Sequence, residues 1–543
     1  MSARGSQGRG GADEEYDVAI MGAGFCGLYQ LQRLRRLGLR VRVFESAGAL
    51  GGTWHWNCYP GARVDTPSNI YQYSDEDLWR EWSFSVLYPA YEEIREYFDF
   101  VDKKWSLSKD VSFNTRITRA EFDQESNSWL LSTEDQRSVR ARFFIPCTGF
   151  ASRPYIPDIL GLKDFQGEAH HTARWPQKGV ELEGKRVGVL GTGASGVQVI
   201  QEVGKLAAHL TVFQRTPNTT MPMRQKRFDA EGMRAFKEQF PARFRMRGVT
   251  PSGFDMDIQH RPGRDASEEE RREVFEKLWA LGGFNFWIAN FDDLLEDEDI
   301  NRSAYAFWRD KVRARISDPR MAEMLAPTEP LHPFGVKRPC LEQNFYEIMN
   351  QPNITLVDLR TSPIERVTRS GVLTRDGEHD LDVLVLATGF DSITGGLTAI
   401  DIRGTDGETF AEKWARGVRT HLGMASAHFP NLFFVFGPQG PSGFANGPTC
   451  AELQGDWVIE CIEHMVKNKL QRIEVLDEAQ DRWTDHLHEL FEKSLFPKAE
   501  SWYNGANIPG KPRQILGYPG GFDTYLKKCA DSARNGYEGF ALS

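Results

Sequence analysis

Twice in this chain an apolar run breaks into the pattern Gly-x-Gly-x-x-Gly, and that repetition limits the fold more than any other feature. The first copy, Gly22-Ala23-Gly24-Phe25-Cys26-Gly27, follows Tyr16-Asp-Val-Ala-Ile-Met. The second, Gly191-Thr192-Gly193-Ala194-Ser195-Gly196, follows Lys185-Arg-Val-Gly-Val-Leu. In such a turn the first glycine permits the tight bend and the second lets the backbone reach a pyrophosphate. The third lets strand and helix pack closely, and the helix N-terminus beyond favours negative charge. One isolated copy is weak evidence. Here each copy leads into a helix and then another strand, Leu39 to Glu45 in the first unit and Leu210 to Thr216 in the second. The expected class is α/β, with two doubly wound dinucleotide-binding domains. The strands end differently: Glu45 suits a ribose diol, whereas Arg215 can pair with a 2′-phosphate that a carboxylate would repel.

At 543 residues the chain has room for two or three domains. Its formal net charge of −10 argues against nucleic acid as a partner, because phosphates need clustered positive charge. No run of 18 apolar residues occurs, so no membrane span is expected. Residues 1–15 are polar and Gly-rich, which predicts a disordered tail and not a secretory signal. The seven cysteines are scattered without a Cys-x-x-Cys pair. That pattern predicts reduced thiols in a cytoplasmic protein, with no disulfide redox centre and no metal.

Between the two glycine turns lies FQGEAHHTARWP, spaced Phe165-x-Gly167-x-x-x-His171-x-x-x-Trp175-Pro176. By composition alone this is a loop. Its spacing resembles the fingerprint of the Baeyer–Villiger monooxygenases, flavoproteins that insert oxygen beside a ketone carbonyl. Related monooxygenases that oxidise nitrogen or sulfur usually lack the Trp-Pro ending. A second signature is similar as well: Gly52-x-Trp54, Tyr59-Pro60-Gly61 and Asp65. Cys58 and Pro67 depart from it, standing where the family commonly has a basic residue and Glu, and Cys147 replaces a usual small residue.

The resemblance implies FAD in the first unit and NADPH in the second. It places FAD against Gly22, Gly24, Gly27 and Glu45, the loop residues Thr53, Trp54, His55, Trp56 and Asp65, and Tyr71, Ile117 and Gly447. It places NADP against Arg63, Val64 and Asp65, then Thr192, Gly193, Ala194, Ser195, Gly196, Val197 and Gln198. Arg215, Thr216, Lys337, Arg338 and Trp502 complete that set. Phe165, Gly167, His171, Trp175 and Pro176 form a hinge. Arg338 is the implied catalytic cation, oriented by Asp65, and Trp502 caps the nicotinamide from a mobile segment. The implied reaction turns a ketone and O2 into an ester or lactone through a flavin peroxide.

The expected domains are residues 16–150 with 381–543 for FAD, 151–220 with 326–380 for NADP, and a helical insertion over 221–325. In that insertion Ser267-Glu-Glu-Glu270 reads as a capping box, with Val274, Leu278 and Leu281 as its buried face and the charge runs as solvated. A monomer is expected. Two alternatives stay open: N- or S-oxygenation, and a nucleotide-binding sensor without turnover.

Overall fold

The computed structural model describes residues 14–543. The expected tail lies outside the described residues except for Glu14 and Glu15, which instead open the first strand. The strands are Glu14–Met21 (β1), Val41–Phe44 (β2), Val111–Ser112 (β3), Ile117–Asp123 (β4), Ser128–Thr133 (β5) and Ser138–Pro146 (β6). Glu168–His171 (β7), Arg186–Leu190 (β8) and His209–Gln214 (β9) follow, with Met221–Pro222 (β10) paired to Leu341–Glu342 (β11). Then come Ile354–Asp358 (β12), the antiparallel trio Ile364–Val367, Gly371–Thr374 and Gly377–Asp380 (β13 to β15), Val383–Leu386 (β16) and Asp401–Arg403 (β17).

These strands build two principal sheets. The larger runs β17-β4-β5-β6-β1-β2-β3, parallel around β1, with β4 and β5 forming an antiparallel meander onto β6. The second runs β12-β9-β8-β16-β7 and is parallel throughout. Buried strands such as Val187–Leu190 and Val383–Leu386 are apolar on both faces, as a parallel sheet covered on both sides requires.

The glycine turns solve the same packing problem twice. Gly22 has φ +102°, and a Cβ there would stand 2.6 Å from the Cys147 carbonyl oxygen. Gly191 has φ +107°, and its Cβ would stand 2.6 Å from the Ala387 oxygen. The third glycines are tighter: a Cβ on Gly27 or Gly196 would come within 1.9 or 2.1 Å of the first glycine's own oxygen. Both turns are therefore closed by the strand returning beside them.

Several expectations change. The fingerprint stretch is not merely a loop, because β7 is the edge strand of the second sheet, with His171 beside Leu386. β16 belongs to that sheet too, so the chain returns to the first sheet after Leu386, not at 381.

The 221–325 block is helical, and the capping box at Ser267 and Glu270 forms. Its helix Glu268–Leu281 buries Phe275, Leu278 and Trp279, while Leu281 is 57% exposed and Val274 only half-buried. Nor are all its charges solvated. Arg247 is 2% exposed and pairs with Glu452 of helix Gly447–Lys467 at 2.8 Å, tying the insertion to the first domain.

Candidate active site

The loop after Gly51 reaches from the first domain to the second. Thr53–Trp56 is a short helical turn, in which Trp54 donates its indole N–H to the Tyr71 hydroxyl at 3.1 Å. The Tyr59 hydroxyl donates to Gln198 Oε1 at 2.8 Å, and Gln198 Nε2 donates to the Arg63 carbonyl at 3.1 Å. Gly61 has φ +81°, and its Cβ would sit 2.6 Å from the Gln198 carbonyl. The Tyr-Pro-Gly spacing is thus a docking device against helix Ala194–Val203. Gly61→Ala is expected to cost about 1–3 kcal/mol from backbone strain and a clash that flexible atoms cannot relieve. A thermal melt matching the parent would show that the close approach is dispensable.

The docked loop presents Asp65 to Arg338. Arg338 Nε and Nη2 donate to Asp65 Oδ2 and Oδ1 at 2.9 and 3.1 Å, a two-point contact that fixes the guanidinium plane. Nη1 donates to the Gly443 carbonyl at 3.0 Å. The guanidinium lies 4.9 Å from the Phe284 ring centre and 5.8 Å from Trp287. Burial works against its charge most strongly, but Asp65 and Tyr503 together outweigh it and hold its pKa above the ordinary range. The arrangement is a permanently charged cation held between the Asp65 loop, the Gly443 loop and the aromatic rings of the insertion.

Beside it, Lys337 is depressed to about 8, first by burial and then by the neighbouring Arg215 cation, with Glu500 opposing. Two cations that repel each other, with no carboxylate in ion-pair contact among the described residues, suit an anion. That is the chemistry a 2′-phosphate requires. Thr192 Oγ1 donates to the Thr216 carbonyl at 3.0 Å, holding the Arg215 strand end against the second glycine turn. A Cβ on Gly193 would meet nothing within 4 Å, so the backbone there is open to a pyrophosphate. Ala194, Ser195 and Gly196 open the helix beyond, while Val197 is buried in its core. Val64 is buried, with its N–H donated to Pro89 at 3.1 Å, so the Arg63–Asp65 strip approaches a ligand mainly through its flanking side chains.

In the first unit Glu45 is buried and accepts the Ala23 and Ala47 N–H groups, each at 2.7 Å. Its carboxylate retains acceptor capacity for a diol. A Cβ on Gly52 would touch Gly24 Cα at 3.0 Å, so the two glycines face each other as a side-chain-free surface suited to pyrophosphate. At the N-terminus of helix Gly447–Lys467, Gly447 would direct a Cβ into open space. Ile117 sits differently: its side chain is in the apolar core of the first sheet. His55 is held below the usual imidazole range by burial and by Arg95. The residues present fit both dinucleotides.

The fingerprint packs on this loop. Cys58 Sγ donates to the Trp175 carbonyl at 3.6 Å, and Arg174 stacks 4.7 Å from the Trp56 ring. Cys58 thus replaces a basic residue with an inter-domain contact. Pro67 accepts the Ile70 and Tyr71 N–H groups, both at 3.0 Å. His171 caps the following turn by accepting the Ala173 N–H on Nδ1 at 3.0 Å, and burial lowers its pKa. Gly167 has no room for a Cβ, which would fall 2.4 Å from the Asp382 carbonyl and 2.5 Å from the Phe165 ring. Pro176 turns the chain away, accepting the Gly179 N–H at 2.9 Å.

Trp502 lies against Gly443, where a Cβ would stand 2.6 Å from its ring, and stacks on Tyr503 at 4.1 Å. Its segment is fastened by Asn507, donating to Phe390 at 2.9 Å, and by Lys511, paired with Asp391 at 2.7 Å. Sequence reasoning missed Phe284, Trp287, Gly443 and Tyr503. The Gly-Gly-Phe-Asn-Phe-Trp run at 282–287 was the available signal. No periodicity rule says that it turns toward Arg338.

Two nested dinucleotide folds with a half-buried arginine between them define a nicotinamide-dependent flavoprotein. A family model for flavin-binding monooxygenase-like proteins matches residues 15–228. The chain is 49% identical over 531 residues to cyclopentanone 1,2-monooxygenase of Comamonas sp. (strain NCIMB 9872), covering 98% of this chain and 96% of that one. It is 39% identical to phenazine N-monooxygenase of Lysobacter antibioticus, covering 97% of each chain. Among solved structures, OTEMO in complex with FAD and NADP superposes with a TM-score of 0.93 at 37% identity, over 97% of this chain and 99% of that one. The chain belongs to the flavin-binding monooxygenases of the Baeyer–Villiger type: an FAD- and NADPH-dependent enzyme that converts ketones to esters or lactones. No helix among the described residues is long and apolar enough to cross a membrane.

Proposed function

We propose that this enzyme oxidises a small cyclic ketone to its lactone, with Arg338 as the cation beside the reacting oxygen and Asp65 as its holder. The observation that carries the site assignment is the two-point Asp65–Arg338 contact. The choice of a cyclic ketone rests on the likeness to the Comamonas enzyme. When bound, FAD supplies redox and oxygen-activating chemistry and NADPH the reducing equivalents.

Everything else falls to side chains. Gly24, Gly52, Glu45 and the Thr53–Trp56 turn would hold the flavin nucleotide. Gly193 and the start of its helix would take the NADP pyrophosphate, with the 2′-phosphate between Arg215 and Lys337. Arg338 would offset negative charge as it develops during oxygen transfer, already desolvated and therefore without reorganisation. Phe284, Trp287 and Trp502 would exclude water from that charge. His171 and Trp175, set between the sheets, would transmit relative movement of the two domains. The FAD domain would comprise 16–150 and the chain beyond Leu386, the NADP domain 151–220 and 326–386, with 221–325 inserted. All seven cysteines are free thiols, as a reducing compartment would keep them.

The test is a panel of cyclopentanone, cyclohexanone, a linear ketone and phenazine, with NADPH consumption and mass-spectrometric products. Lactone from the cyclic ketones is expected. The likeness to the phenazine enzyme supports a second reading, N-oxygenation. N-oxide without lactone would establish that reading and end the first.

A further inference from the structure

The Gly443 carbonyl is shared. It accepts Arg338 Nη1 at 3.0 Å and the Tyr503 hydroxyl at 2.9 Å. Tyr503 is fully buried, its ring stacked on Trp502 at 4.1 Å, tilted against Phe444 at 4.8 Å and edge-on to Phe496 at 5.5 Å. The backbone around it is equally fixed. Ser501 Oγ accepts the Tyr503 N–H at 3.2 Å, and the Tyr503 carbonyl accepts the Leu516 N–H at 2.8 Å. Gly443, at φ +84°, has no space for a side chain, because Trp502 and Tyr503 lie against it. One oxygen atom therefore joins the active-site arginine to the 501–512 segment.

We propose that Tyr503 is a positioning residue for Arg338. By donating to the Gly443 carbonyl it fixes the third anchor of the guanidinium, so that docking of the 501–512 segment and placement of the cation become one event. Asp65 determines the plane of the guanidinium, and two contacts along one edge leave it free to swing about that edge. Gly443 removes this freedom, and Tyr503 fixes Gly443. The phenol suits the task, since burial pushes its pKa up to about 12 and it remains a donor. Losing the hydroxyl leaves the Gly443 oxygen bonded to Arg338, so no buried acceptor is orphaned. The effect should therefore be on geometry more than on folding.

The inference rests on the proposed role of Arg338. Tyr503→Phe keeps the ring stack and removes the single donor. With melting temperature close to the parent's, and FAD content and the rate of flavin reduction by NADPH within about twofold of it, product formed per NADPH should fall several-fold, the balance appearing as hydrogen peroxide. Independently of activity, tryptic nicking of the FAD-loaded protein after Lys498 and Arg513 should quicken about two- to tenfold, the size of one lost hydrogen bond. Parental coupling and parental nicking overturn the proposal, and so does a loss confined to melting temperature, which would mark Tyr503 as packing alone. Arg338→Ala is measured alongside. If that variant forms product normally, the role of Arg338 fails first; if it does not while Tyr503→Phe does, only this inference falls.

Discussion

Arg338→Ala is expected to lose product formation by at least about 10²-fold while NADPH still bleaches the flavin. The size follows from what one preorganised donor at a developing negative charge contributes in a water-poor site. The selectivity for one half of the reaction follows from position. Arg338 is anchored by Asp65, Gly443 and the Phe284 face, whereas the phosphate contacts of the coenzyme are assigned to Lys337 and Arg215. An exposed ion pair would contribute only about 0–1 kcal/mol. The Arg338 side chain is only 16% exposed, so that estimate does not apply. Truncation also leaves the Asp65 carboxylate without its partner, but at 30% exposure it can be solvated, so the stability cost stays below that of a buried pair. Arg338→Lys separates the two effects: it keeps a charge for Asp65 but loses the fork to Gly443. Stopped-flow absorbance with a product assay reads both half-reactions, and normal ester or lactone yield from the alanine variant would falsify the assignment.

NADPH binding should weaken as pH rises through about 8, and NADH binding should not. Lys337 is depressed to about 8 by burial and by Arg215, so it is charged below that pH and neutral above it. A dianionic phosphate stabilises the charged form. Above pH 8 binding must take up a proton, and Kd rises toward about tenfold per pH unit until the pKa of the complex is reached. Lys337→Arg should flatten the profile, because a guanidinium stays protonated throughout. Arg215→Ala should weaken NADPH at neutral pH by roughly 1.5–3 kcal/mol, the value of a hydrogen bond to a charged group, with little effect on NADH. It should also move the inflection above 8, since the cation repelling Lys337 is gone. Fluorescence titration from pH 6.5 to 9.5 provides the check. Parallel profiles for the two coenzymes would end the 2′-phosphate assignment.

By itself the sequence determined whatever depends on short spacing. Glycines 22 and 27, and 191 and 196, leave no choice at their turns, since a Cβ would strike backbone oxygen; that constraint is local and hence legible. The capping box at Ser267 is legible for the same reason. Charge at a strand end, Glu45 against Arg215, is equally local and carries the proposed division of FAD and NADP between the two units. What only the tertiary structure decided depends on contacts between distant segments. β7 and β16 join one sheet although more than 200 residues separate them. Phe284 and Trp287 belong to a charged insertion, and only the packing of that insertion brings them onto Arg338. Gly443 and Tyr503 carry no spacing relative to residue 338. Their meeting at one carbonyl is a property of three loops closing together, because hydrogen bonds and desolvation act through space and leave no periodic trace along the chain.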